Sequence, residues 1–165
     1  MPNHSCPTLD KRIMVADTTV KDAGVLLMDY FQQKENKPDI KKDRTLVTEA
    51  DLAADKLITY TIQNQFAADG IISEEGQTQY LGQEFTWVID PLDGTTNFSQ
   101  GLHYWGVSIA LLQAGIPVYG IIHFPAVSET FSARIGAGAL LNTQPLVLSA
   151  DDQKRKHAFF VHCSR

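Results

Sequence analysis

The spacing of apolar residues changes at Gly70, and that change restricts the class of fold open to this chain. Upstream, apolar side chains recur at helical intervals. Val20, Ala23, Leu27, Tyr30 and Phe31 share one face of a helix predicted over about residues 13–34. Ile58, Ile62 and Phe66 stack at i, i+4 in a second helix. The polar stretch 32–44, with Pro38, reads as the loop between them, and Leu46-Val47 as a short strand at best. Thr48 fits the N-cap of the second helix, with Asp51 three residues on as its capping-box acid. Downstream of Gly70 the runs become short and β-like: 71–72, 86–90, 106–113, 118–124, 129–134 and 139–141. Turn residues separate them, at Ala114-Gly115 and from Gly136 to Gly138. Two helices followed by a meander of strands indicate an α+β layer architecture, with the helices packed on a largely antiparallel sheet.

A chain of 165 residues suits one domain, and 44% hydrophobic with 20% charged residues is an ordinary globular balance. The net charge of -5 gives no basic surplus for nucleic acid or an anionic membrane. An acidic chain that handles phosphate must recruit positive charge, and a divalent cation is the obvious source. No apolar run approaches the ~20 residues of a membrane span, and residues 1–10 lack the apolar stretch of a signal peptide. Cys6 and Cys163 read as free thiols in a reducing cytosol, so a cytoplasmic location is expected. Residues 1–12 are expected to be a flexible tail and 13–165 one unit. A new apolar run, 157–161, starts just before Arg165, and from it we expect the protein to continue further.

The chemistry is concentrated in residues 87–98. The chain leaves a buried strand at Asp90, turns through Pro91, presents Asp93 and enters Gly94-Thr95-Thr96. Two carboxylates so close repel each other unless a proton or cation lies between them. Magnesium takes hard oxygen ligands, and Leu92, between the acids, can add its carbonyl. Thr95 and Thr96 could open a helix whose free amides form an anion site. Asp-Gly is also a common hairpin turn. Glu74 and Glu75 follow a short apolar strand and read either as ligands or as an ordinary loop pair. By spacing alone Asp51 is a capping residue. Trp87 and Trp105 read as core or rim aromatics. His103, His123, His157 and His162 have no metal spacing and read as structural. Lys34, Lys41 and Lys42 read as a solvated face, one of which could reach a phosphate.

Trp87, Ile89, Asp90, Pro91, Asp93, Gly94, Thr95, Asn97 and Phe98 resemble, at every fixed position, the signature of the inositol monophosphatase family. Val47-Thr48 with Asp51 is similar to the family's upstream segment, and Ser73-Glu74-Glu75 to its glycine-glutamate-glutamate segment. Gly120 to Pro125, and Gly136-Ala137-Gly138-Ala139 with Asn142, resemble its later strands and glycine turn. The resemblance spans about residues 13–150 and covers the family's amino-terminal half.

The resemblance implies a layered sandwich of helices and sheets and hydrolysis of a phosphate monoester, inositol monophosphate first. Glu74, Asp90 and the carbonyl of Leu92 would bind one magnesium ion, and Asp90 and Asp93 would share in a second. Two or three ions are expected, with manganese as a substitute. Glu75 would support the site through water. Thr95, paired with Asp51, would orient and deprotonate the attacking water. Amides of Gly94, Thr95 and Thr96 would hold phosphate oxygens. A metal-activated water attacks phosphorus in line, and no phosphoenzyme is needed. A homodimer and lithium inhibition are further implications, and neither nucleic acid nor membrane is expected as a partner. Ser73 departs from the family, standing where glycine is usual. The family's later tryptophan-aspartate segment, which completes the second metal site, is not in this sequence. Fructose bisphosphate, histidinol phosphate and phosphoadenosine phosphate are alternative substrates. A truncated relative that binds metal without turnover is the alternative that is not an enzyme.

Overall fold

The computed structural model describes residues 7–36, 40–76 and 81–147. Cys6, Cys163, His157 and His162 lie outside them, as do the side chains of Lys34, Lys41 and Lys42. Helix α1 runs over Pro7–Asn36 and α2 over Ile40–Gln65. Strands β1 (Gly70–Ser73) and β2 (Phe85–Asp93) follow, then a short helix α3 (Thr95–Ser99). Strands β3 (Gly106–Gln113), β4 (Ile116–Phe124), β5 (Glu129–Arg134), β6 (Gly138–Leu141) and β7 (Gln144–Pro145) complete one seven-stranded sheet. Strand order in the sheet equals chain order. Among the described residues only the β1–β2 pair is parallel.

Alternation along the strands decides which face is covered. Trp87, Leu111 and Tyr119 lie in one cross-strand row, and Ile89, Ile109 and Ile121 in another. All six are buried. Helix α1 packs on β3 and β4 and α2 on β2, so both helices close this same face. Val20, Ala23, Leu27 and Phe31 from α1, with Ile58, Ile62 and Phe66 from α2, fill the space between. The α+β layering expected from the sequence is therefore the observed fold.

Three boundaries differ. Helix α1 starts at Pro7, so residues 7–12 belong to it and not to a tail. Leu9 is buried there, and Arg12 donates from Nε and Nη2 to Asp69 at 2.7 Å each. Helix α2 starts at Ile40, so Leu46 and Val47 are helical and not a strand. Thr48 and Asp51 are consequently interior residues, and the capping-box reading of Asp51 is wrong. Between Ile40 and Thr48 no proline or glycine interrupts a run rich in good helix formers, so the helix extends past the apparent cap.

Candidate active site

Parallel pairing of β1 with β2 sets Ser73 opposite Ile89, and the Glu74 amide donates to the Ile89 carbonyl at 3.3 Å. Glu74 and Asp90 therefore emerge together at the carboxyl ends of neighbouring strands. Beyond Asp90 the β2–β3 register slips: Asp90 pairs with Ser108 but Asp93 with Gly106. Pro91 and Leu92 take up the extra length, both buried. Such a bulge bends the strand and re-aims the residues beyond it.

The chain turns into α3 at Gly94, whose φ of 87° is the left-handed conformation glycine tolerates best. A Cβ there would meet the Tyr104 carbonyl oxygen at 3.2 Å and Trp105 Cα at 3.3 Å. Phe98 N donates to the Gly94 carbonyl at 3.0 Å, so the amides of Thr95 and Thr96 precede the first bond inside the helix. Phe98 and Trp105 meet edge-on at 4.8 Å between centroids, and Phe31 lies 5.3 Å from Phe98. This aromatic cluster pins α3 to α1. Asn97 Nδ2 donates to the Tyr104 carbonyl at 2.6 Å and ties the following loop.

Asp51 reports how the acids converge. Its carboxyl is pushed up to about 7, first by burial and then by Glu75, Asp90, Glu74 and Asp55. Acids from α2, from the end of β1 and from β2 thus share one electrostatic field. Asp51 Oδ1 is buried and has no hydrogen-bond partner, so the inferred Thr95–Asp51 pair is not closed. Helix α2 nevertheless packs against α3, which brings the two segments together. Glu74 and Glu75 are exposed, and Asp90 and Asp93 are half-buried. Among the described residues, no three His, Cys, Asp or Glu side chains are grouped closely enough to hold a metal ion. The hard oxygen donors and the unpartnered Asp51 oxygen are nevertheless of the chemical type a divalent cation takes, and a cation would offset the repulsion that these acids exert on Asp51.

Other residues fall where expected. Trp87 and Trp105 are fully buried. His123 Nδ1 lies 2.8 Å from Thr130 Oγ1, and burial holds its imidazole below the ordinary range. The His103 ring lies 5.6 Å from that of Phe31. Sequence reasoning missed Asp55, which sits one helical turn beyond Asp51 and accepts a short hydrogen bond from the Ser73 hydroxyl. The i, i+4 spacing of the two acids was the available signal.

Comparison with known proteins decides the family, since residues 8–165 match its sequence profile. The chain belongs to the inositol monophosphatase family. It is 39% identical over 138 residues to a histidinol-phosphatase of Chlorobaculum parvum, covering 84% of this chain and 53% of that one. It is 34% identical over 145 residues to an inositol monophosphatase of Mesembryanthemum crystallinum, covering 86% and 53%. The solved inositol monophosphatase from Anabaena superposes with a TM-score of 0.73 at 31% identity, covering 87% of this chain and 51% of that chain. The chain therefore spans about half the length of these family members. No described helix is long and apolar enough to cross a membrane.

Proposed function

We propose that this chain carries the metal-binding half of a phosphoric monoester hydrolase. The observation behind the reading is the field at Asp51, where acids from three segments act on one carboxyl. Glu74, Asp90, Asp93 and the Leu92 carbonyl would hold magnesium, as two or three ions, with Glu75 supporting through water. A bound divalent cation neutralises phosphate charge and makes water a better nucleophile. Asp51 would take the proton of the attacking water, oriented by Thr95. The amides of Gly94, Thr95 and Thr96 would hold phosphate oxygens.

Inositol monophosphate is the first substrate choice. The histidinol-phosphatase of Chlorobaculum parvum, at 39% identity, puts histidinol phosphate beside it. Lithium inhibition, a homodimer and a cytoplasmic location belong to the same proposal.

Phosphate release from both esters, with magnesium and with a chelator, tests it on this chain and on any longer product of the same reading frame. We expect release that requires magnesium, is weak or silent in this chain by itself, and in a longer product is nearly abolished by Asp93→Asn. Release that persists in chelator, or full turnover in the Asp93→Asn variant, overturns the mechanism.

A further inference from the structure

The turn that carries Glu74 and Glu75 hangs from an edge strand. β1 has four residues and, among the described residues, one neighbour in the sheet, β2. The backbone bonds at its end are long: Glu74 N to the Ile89 carbonyl at 3.3 Å, and Gly76 N to the Ser73 carbonyl at 3.2 Å. Bonds of that length are at or beyond the usual range for N–H to oxygen. Both glutamates are exposed. A metal ligand on this turn would lose affinity if the turn moved.

Ser73 supplies a further restraint. It is 2% exposed and shares the inner face with Ile89. Its hydroxyl donates to Asp55 Oδ1 on α2. Asp55 is fixed in turn by its helix, where its carbonyl accepts from Thr59 Oγ1 at 2.8 Å. A hydrogen bond to a carboxylate is roughly twice as strong as one between neutral groups. The Ser73–Asp55 bond is thus a charge-assisted tie at this corner. It joins the residue before Glu74 to the helix that carries Asp51, one turn away. Glycine at 73 could not make it.

We infer that Ser73 and Asp55 are a positioning pair that holds the Glu74–Glu75 turn against α2 and thereby sets the affinity of the acidic site for a divalent cation. The inference rests on the metal-binding reading above. Manganese binding to the 165-residue chain, followed by the electron paramagnetic resonance signal of the free ion, tests both separately. With the unaltered chain binding, Ser73→Ala should weaken affinity about tenfold, the scale at which groups that orient metal ligands act. Asp55→Asn removes the charge but keeps an oxygen for the Ser73 hydroxyl, so it should bind more tightly than Asp55→Ala. The Ser73→Ala, Asp55→Ala double variant should bind no more weakly than Asp55→Ala alone, because both changes break one bond. Affinity in Ser73→Ala within about twofold of the unaltered chain, or losses that multiply in the double variant, overturns the pairing. Where Ser73→Ala fails to fold, equal affinities of Asp55→Asn and Asp55→Ala overturn it instead. Absence of manganese binding by the unaltered, folded chain defeats the metal-binding reading itself, and this inference with it.

Discussion

Replacing Asp51 by asparagine removes one charge from a cluster of acids while keeping the shape of the side chain. The ordinary carboxyl value of 3.8 rises to about 7 in the folded chain. Each factor of ten in proton affinity is worth about 1.4 kcal/mol. Solvent reaches the half-buried group, so we halve the total and expect the ionised carboxylate to cost the metal-free fold about 2 kcal/mol. The sign follows from proton counting. Between pH 4 and pH 7, roughly, the native chain holds a proton at Asp51 that the unfolded chain has lost, so this group's contribution to stability falls as pH rises. Above that window the whole cost is present. Urea unfolding in the presence of a chelator measures it. Asp51→Asn should be more stable than the unaltered chain by about 2 kcal/mol at pH 8, and by less than about 1 kcal/mol at pH 5. A variant no more stable than the unaltered chain at pH 8 would refute the convergence of acids on this residue.

Two further substitutions probe the frame around the site. Arg12→Ala strips the bidentate partner from Asp69, which is 4% exposed and would keep only the Trp87 Nε1 donor at 2.9 Å. A loss of about 3 kcal/mol in urea unfolding is expected, and an unchanged midpoint would show that this ion pair contributes nothing. Gly94→Ala forces a side chain into a left-handed turn against the Tyr104 carbonyl, 3.2 Å from the new Cβ. It should cost about 1–2 kcal/mol, seen as a lower thermal midpoint, whereas an unchanged midpoint would mean that the turn relaxes freely.

Much of the fold was legible because alternation and helical spacing are local. β3 and β5 occupy the residues predicted, since turns mark their ends, and in β3 the inward row of Val107, Ile109 and Leu111 is apolar. β2 extends past its predicted end because the bulge keeps Pro91 to Asp93 in the sheet, and nothing local announces a bulge. The start of α2 was misread because Thr48 and Asp51 imitate a cap. The candidate site was legible as residue types but not as an arrangement. Its convergence depends on parallel β1–β2 pairing and on the seating of α2, and both are long-range. Ser73 and Asp55 lie 18 residues apart and meet for that reason alone.

The agreement between strand order and chain order bears on how the molecule is made. During synthesis from the amino terminus, each strand after β1 emerges to find its partner already present. From β3 onward each pairing closes only a short loop, which favours fast assembly over slow searching. The two helices, made first, can cover the inner face as the strands arrive. The corner bearing Ser73, Glu74, Asp90 and Asp51 draws only on α2, β1 and β2, so all of its residues have been synthesised before the rest of the sheet.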